Sequence, residues 1–186
     1  NDACIAIAEG ISGSEALFAE ELNLLEKEIG MLNSSFTNST GWPDPDHLTT
    51  IQDLLRLTIK TIEDFPEFYH YYAEKEFTYS GIKQLNRNPL LFNEINADGL
   101  KTGHTSLGGY GLVASVLKNN RRLILILNGL KRNKDRSDES ERLIKVGFNQ
   151  YKVIDLYDKD QTITNLQVWG GEKKKMLKFT QKRMLI

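Results

Sequence analysis

The stretch Asp98-Gly99-Leu100-Lys101-Thr102-Gly103-His104-Thr105 leads through Ser106-Leu107-Gly108-Gly109 into the apolar segment Tyr110 to Val116, and it constrains the chain more than any other. Side chains of an extended segment alternate at a period of two, so Lys101 and Thr102 put an ammonium and a hydroxyl on opposite faces. Gly103 follows with no side chain, which lets a ligand backbone approach closely. Lys118-Asn119-Asn120-Arg121 then reads as a turn joining Tyr110–Val116 to a second apolar, β-rich run, Arg122 to Asn128. The expectation is two neighbouring antiparallel strands, with Lys101 and Thr102 on a central strand that faces a cleft.

Helical patterns flank this sheet. Ser12-Gly13-Ser14-Glu15 has the spacing of a capping box, and Phe18, Leu22, Leu25 and Ile29 recur on one helical face before Gly30 stops it. Met31 to Trp42 is turn chemistry. A second helix begins near Thr50 with Ile51, Leu55, Ile59 and Ile62 on its apolar face, and Pro66 ends it. Phe65 to Tyr79 holds Phe68, Tyr69, Tyr71, Tyr72, Phe77 and Tyr79; no basic residue interleaves the first four of these, so core packing is favoured over a base-stacking platform. Thr78 to Gln84 reads as a hairpin. After Asn133 to Ser137 a helix from about Asp138 to Phe148 uses Leu143, Ile144 and Phe148 to cover one face of the sheet. The fold class is α+β, an antiparallel sheet packed with helices.

Beyond Gln150 the texture changes to short alternating segments, Tyr151 to Tyr157, Thr162 to Trp169 and Lys175 to Thr180. The expected division is therefore residues 1–150 as one partial domain and 151–186 as the start of a β-rich domain. The apolar runs, among them Ala3 to Ala8 and Leu123 to Leu127, are far shorter than the ~18 residues that span a bilayer, so the chain as given reads as soluble. A net charge of −1 gives no bulk argument for nucleic acid or membrane. Lys173, Lys174, Lys175, Lys178, Lys182 and Arg183 read as a solvated basic end. Cys4 has no partner for a disulfide and is expected as a buried small hydrophobe. No His, Cys and carboxylate cluster has metal-ligand spacing and no glycine-rich phosphate loop is present, so no cofactor is expected.

Lys-Thr-Gly is one of three motifs shared by penicillin-binding proteins and class A β-lactamases, the others being S-x-x-K and S-x-N. D-G-L-K-T-G-H-T followed by G-Y-G-L-V-A-S resembles the D-alanyl-D-alanine carboxypeptidases, the low-molecular-mass penicillin-binding proteins. So do G-M-L-N-S-S-F-T-N-S-T-G-W, P-E-F-Y-H-Y-Y-A-E-K and T-Y-S-G-I-K-Q-L-N-R-N-P-L-L-F, and the resemblance covers nearly all of residues 1 to 169. It implies the β-lactamase/transpeptidase-like fold followed by a small all-β domain. Family members carry S-G-N-D-A-C where this chain opens with N-D-A-C, so Asn1 stands as the third residue of S-x-N, and the opening reads as a cut end. The nucleophile of the family belongs upstream of it, and an amphipathic C-terminal anchor is likewise not in the chain.

Ser80-Gly81-Ile82-Lys83 spells S-x-x-K, yet the motif works where one helical turn brings the lysine over the serine, and Gly81 with β-branched Ile82 belongs to a turn. Ser80 is set aside, leaving no nucleophile among these residues. The resemblance implies that a substrate lies antiparallel to the strand of Lys101-Thr102-Gly103. Lys101 holds positive potential over the site, the His104 backbone N–H serves as an oxyanion donor, and Asn1 hydrogen-bonds a substrate amide. Thr102 and Arg136, the latter from K-D-R-S-D-E-S, engage the terminal carboxylate; Gly103, Thr105 and Arg87 complete the binding set, Arg87 chiefly as a structural hydrogen-bonding residue. The implied reaction is serine-type removal of the terminal D-alanine from a peptidoglycan stem peptide, blocked by β-lactams and carried out in the periplasm. The alternatives are a class A-like β-lactamase and a non-catalytic peptide-binding remnant.

Overall fold

The computed structural model describes residues 2–154, 162–167 and 176–180. The chain divides into two units, 1–150 and 151–186. In the first, helices α1 (Asp2–Ser12), α2 (Glu15–Glu28), α3 (Ile51–Asp64) and the single turn α4 (Pro66–Tyr69) precede the hairpin β1 (Glu76–Tyr79) and β2 (Ile82–Leu85). A three-stranded antiparallel sheet follows, β3 (Ala97–Thr105), β4 (Gly109–Lys118) and β5 (Arg121–Leu130), and then α5 (Asn133–Gln150). The second unit holds an antiparallel pair, β6 (Thr162–Gln167) and β7 (Met176–Thr180). Tyr151 to Ile154, expected to open a strand, carry no regular structure.

Within the described sheet the order is β3-β4-β5, so the strand bearing Lys101 lies at its edge and β4 is central. The expectation of a central Lys101 strand is corrected in this respect: the apolar run Tyr110–Val116, paired along both edges, is what takes the middle place. Asn119 and Asn120 adopt φ of 52° and 60° and join β4 to β5, a left-handed pair that asparagine tolerates best among residues with a side chain. The core lies between the sheet and α5, where Leu90, Leu112, Ala114, Val116 and Ile144 are buried together.

Several local expectations are displaced. Ser14, not Ser12, caps α2, accepting from the Leu17 N–H, while Ser12 ends α1 and donates to Glu21. Gly30 does close α2, with its N–H on the Lys27 carbonyl and that of Met31 on Glu26, the paired bonds of a Schellman cap. On α3, capped by Thr50, the fully shielded residues are Asp53 and Thr58, while Ile51 and Leu55 are exposed. The reason is polar: Asp53 accepts from the Asn33 N–H, Ser34 and Arg56, so the loop above α3 is bound through a carboxylate. Of the aromatics between Phe65 and Tyr79 only Tyr69 is buried: its ring lies against Gly99 of β3, whereas the β1–β2 hairpin is exposed on both faces. Cys4 is exposed rather than buried, since α1 packs on α2 through Ala8.

Candidate active site

β3 carries the site, and its pairing with β4 sets which way each residue faces. Lys101 pairs with Val113, Thr102 with Leu112, Gly103 with Gly111 and His104 with Tyr110. Thr102 and His104 therefore share the face of Leu112 and α5, and Lys101 and Gly103 the opposite face toward α3. A cavity of about 470 Å³ opens on that second face, walled by Leu54, Leu57, Thr58 and Thr61 of α3, by Tyr72, and by Lys101 and Gly103. A Cβ built on Gly103 would meet nothing within 4 Å, so the backbone there is open to an incoming chain.

The Lys101 ammonium folds back onto the Thr102 carbonyl at 2.5 Å. The residue is exposed, yet desolvation followed by the Arg87 charge holds its pKa below the ordinary lysine range, with Arg136 adding to the effect and Cys4 opposing it. Lys101, Arg87 and Arg136 thus stand within electrostatic reach of one another. Arg136, buried in the first turns of α5, donates from Nη2 to Asn133 at 2.6 Å and to the Arg87 carbonyl at 3.3 Å. Its Nε is buried without a hydrogen-bond partner. The guanidinium lies over the Tyr110 ring at 5.6 Å, and Tyr110 in turn stacks on His104 with centroids 4.0 Å apart. The His104 ring is accordingly committed to a packed pair.

Thr102 is shielded between sheet and helix, and Thr105 accepts from the Gly108 N–H at 2.8 Å, tying the turn between β3 and β4. Arg87 is exposed, and its backbone carbonyl is what it contributes to Arg136. Asn1 lies outside the described residues. A second cavity, of about 320 Å³, adjoins His104, Thr105 and Ser106 and is bounded by Thr40, Trp42 and Pro43. Another of about 510 Å³, between residues 93–96 and the second half of α5, contains none of the expected site residues. Among the described residues no group of three His, Cys, Asp or Glu is placed to hold a metal, and no helix is long and apolar enough to cross a membrane.

Ser80 occupies the hairpin turn with φ 48° beside Gly81 at 76°. Lys83 points from strand β2 to Glu76, so the serine and lysine are not brought together as a helix would bring them. The sequence reading passed over a second S-x-x-K, Ser115 to Lys118 on β4. There the odd spacing puts the two side chains on opposite faces, and Ser115, fully buried, accepts from Arg122. Asn88 was also missed. It is fully buried and donates to the Gly99 carbonyl at 2.8 Å; the only sequence signal was an Asn-x-Asn doublet before Pro89.

Residues 1–131 match the family model described as Peptidase_S11, D-alanyl-D-alanine carboxypeptidase. The chain belongs to this family. It is 41% identical over 175 residues to the D-alanyl-D-alanine carboxypeptidase DacA of Haemophilus influenzae, covering 93% of this chain and 44% of that protein. With DacC of Escherichia coli it shares 39% identity over 174 residues, again 93% of this chain and 44% of the other. Penicillin-binding protein 5 of Haemophilus influenzae superposes with a TM-score of 0.84 at 39% identity, over 96% of this chain and 52% of that one. The chain therefore spans less than half the length of these curated relatives, and the α+β carboxypeptidase fold expected from the sequence is the one found.

Proposed function

We propose that this chain is the substrate-gripping part of a serine-type D-Ala-D-Ala carboxypeptidase acting on peptidoglycan stem peptides outside the cytoplasm. The observation that carries the reading is the edge strand β3, whose Lys101-Thr102-Gly103 segment borders an open cavity with Arg136 and Arg87 in electrostatic reach. An edge strand presents unpaired backbone groups, so a peptide ending in D-Ala-D-Ala can add to it antiparallel. The His104 N–H would receive the oxyanion and Thr102 with Arg136 the terminal carboxylate, while Asn1 holds the substrate amide.

In the reaction a serine oxygen attacks the carbonyl of the terminal peptide bond, its proton passes to the leaving nitrogen, and the C–N bond breaks to release D-alanine. Water then hydrolyses the ester. The reading requires a helix-borne S-x-x-K serine in the part of the relatives' length that these residues do not span, because Ser80 sits in a hairpin turn and Ser115 on a strand, where it accepts from Arg122. A β-lactam would acylate the same serine; penicillin-binding protein D2 of Listeria monocytogenes has been solved in ampicillin-bound and cefotaxime-bound forms.

Labelling with a fluorescent penicillin and intact mass tests this. A full-length family member carrying these residues should take up one penicillin, while the 186-residue polypeptide by itself should take up none and release no D-alanine. A stoichiometric adduct on a serine of the isolated polypeptide would overturn the assignment of the nucleophile. Release of ampicilloate at a rate exceeding release of D-alanine would favour the β-lactamase alternative.

A further inference from the structure

An edge strand held by a single neighbour needs another means of staying in place, and β3 has one immediately before Lys101. Arg122 of β5 reaches across β4: its Nη1 donates to Ser115 Oγ at 2.5 Å and to both Asp98 carboxylate oxygens at 2.9 and 2.7 Å. One side chain thus ties all three strands at one point. Tyr69 closes over it, with its ring 5.4 Å from the guanidinium carbon and its hydroxyl donating to Asp98 at 3.3 Å. Burial raises the Tyr69 phenol to about 12, so it stays a donor throughout the working range. The strand backbone rests directly on this phenol, since a Cβ at Gly99 would stand 2.6 Å from its oxygen.

Asn88 grips the same step through the backbone. Its Nδ2 donates to the Gly99 carbonyl at 2.8 Å, its Oδ1 accepts from the Leu90 N–H at 3.1 Å, and its own N–H is held by Asn86 at 3.0 Å. The neighbouring carbonyl, that of Arg87, is the one that accepts Arg136. The short segment 86–88 therefore sets both Arg136 and Gly99 from one piece of backbone, and Gly99 lies just two positions before Lys101.

We propose that Asn88 and Arg122 are positioning residues of the acylation step, clamping Asp98-Gly99 so that Lys101 and Arg136 keep a fixed separation across the substrate. The proposal rests on the carboxypeptidase reading above. Displacing a reacting group by about 1 Å is enough to cost ~10²-fold in rate. The Asp98–Arg122 pair is only about one-quarter exposed on each side chain, so removing Arg122 also costs stability by leaving a largely shielded carboxylate unpaired, and the rate has to be read per folded site.

The test uses a full-length family member carrying these residues, with acylation by a fluorescent penicillin resolved into limiting rate, half-saturating concentration and burst stoichiometry. Arg122→Gln and Asn88→Asp are each expected to lower the limiting rate ~10–100-fold, with half-saturation and burst stoichiometry unchanged, and Arg122→Lys to recover much of the loss by keeping a charge beside Asp98. Burst stoichiometry counts folded sites, so a variant that folds poorly is still read per site. Wild-type limiting rates in both Arg122→Gln and Asn88→Asp, or a loss confined to burst stoichiometry, would overturn the clamp and leave the carboxypeptidase reading standing. A wild type that takes up no penicillin would overturn that reading and the clamp with it.

Discussion

The two faces of the β3-β4-β5 sheet are built on different principles. Toward α5 the centre of the contact is apolar and closed: Leu90, Leu112, Ala114, Val116 and Ile144 keep at most 3% of their surface, with Thr102 and Arg136 shielded beside them. Toward α3 the sheet presents Lys101, Ser115 and Arg122 beside the apolar Val113, Ile124 and Ile126, a groove opens there, and Ile51 on α3 stays 57% exposed. The first face stabilises by exclusion of water, which depends on area and volume. The second includes charge-assisted bonds from Arg122 to Asp98 and Ser115, which add geometric specificity. Lys101 points to the second face while Arg136 comes from the first turns of α5, so the candidate site draws its lysine and its arginine from opposite sides of the sheet.

That contrast predicts a graded response to substitution. Ile144→Ala, on the closed face, should cost about 2–5 kcal/mol of unfolding free energy by urea denaturation. Glu26→Gln comes next and changes with pH. Glu26 is buried with Oε2 lacking a partner; burial raises its carboxyl above the ordinary value, Lys27 opposes this and Asp53 adds to it. A raised folded value means that folding favours the neutral acid, so this contribution is complete below the unfolded value and lost as pH climbs through the folded one. The Gln variant should thus match the wild type at about pH 4 and gain in urea midpoint at about pH 7. Ile51→Ala, on the open face, should shift stability by no more than about 0.5 kcal/mol; a loss as large as that of Ile144 would erase the distinction between the faces.

The same logic reaches the chemistry through Arg87. Removing its positive charge in Arg87→Gln favours the charged form of Lys101, so the alkaline limb of the acylation pH profile should move to higher pH. A limb that stays in place would mean that Lys101 does not govern it.

Much of this was legible in the sequence because the signals were local. Asn119-Asn120, Thr50 before an amphipathic run, Gly30 after one, and the alternation through Lys101-Thr102-Gly103 each specify geometry within a few residues. What was misread depended on contacts across the fold. The apolar stripe of α3 looked like a core face, but the Asp53 carboxylate, bonded to Asn33 and Ser34 about twenty residues earlier, decides which side of that helix is shielded. Tyr69 could not be told from Phe68 or Tyr71 by type, since what buries it is a glycine thirty residues on. Asn88 gave almost no signal, because its partner is a backbone carbonyl, and any residue supplies one of those.

Lys101 is the group on which the proposed chemistry turns, and one measurement addresses it most directly: the rate constant for acylation by a fluorescent penicillin in a full-length family member carrying these residues, wild type against Lys101→Ala, with Ser80→Ala as the control. Removing a group aimed at the developing oxyanion region typically costs about 2.7–4 kcal/mol, or ~10²–10³-fold. The expected result is a loss of that size for Lys101→Ala at unchanged burst stoichiometry, with Ser80→Ala labelled at the wild-type rate. Wild-type labelling of Lys101→Ala, or an equal loss in both variants, would contradict it.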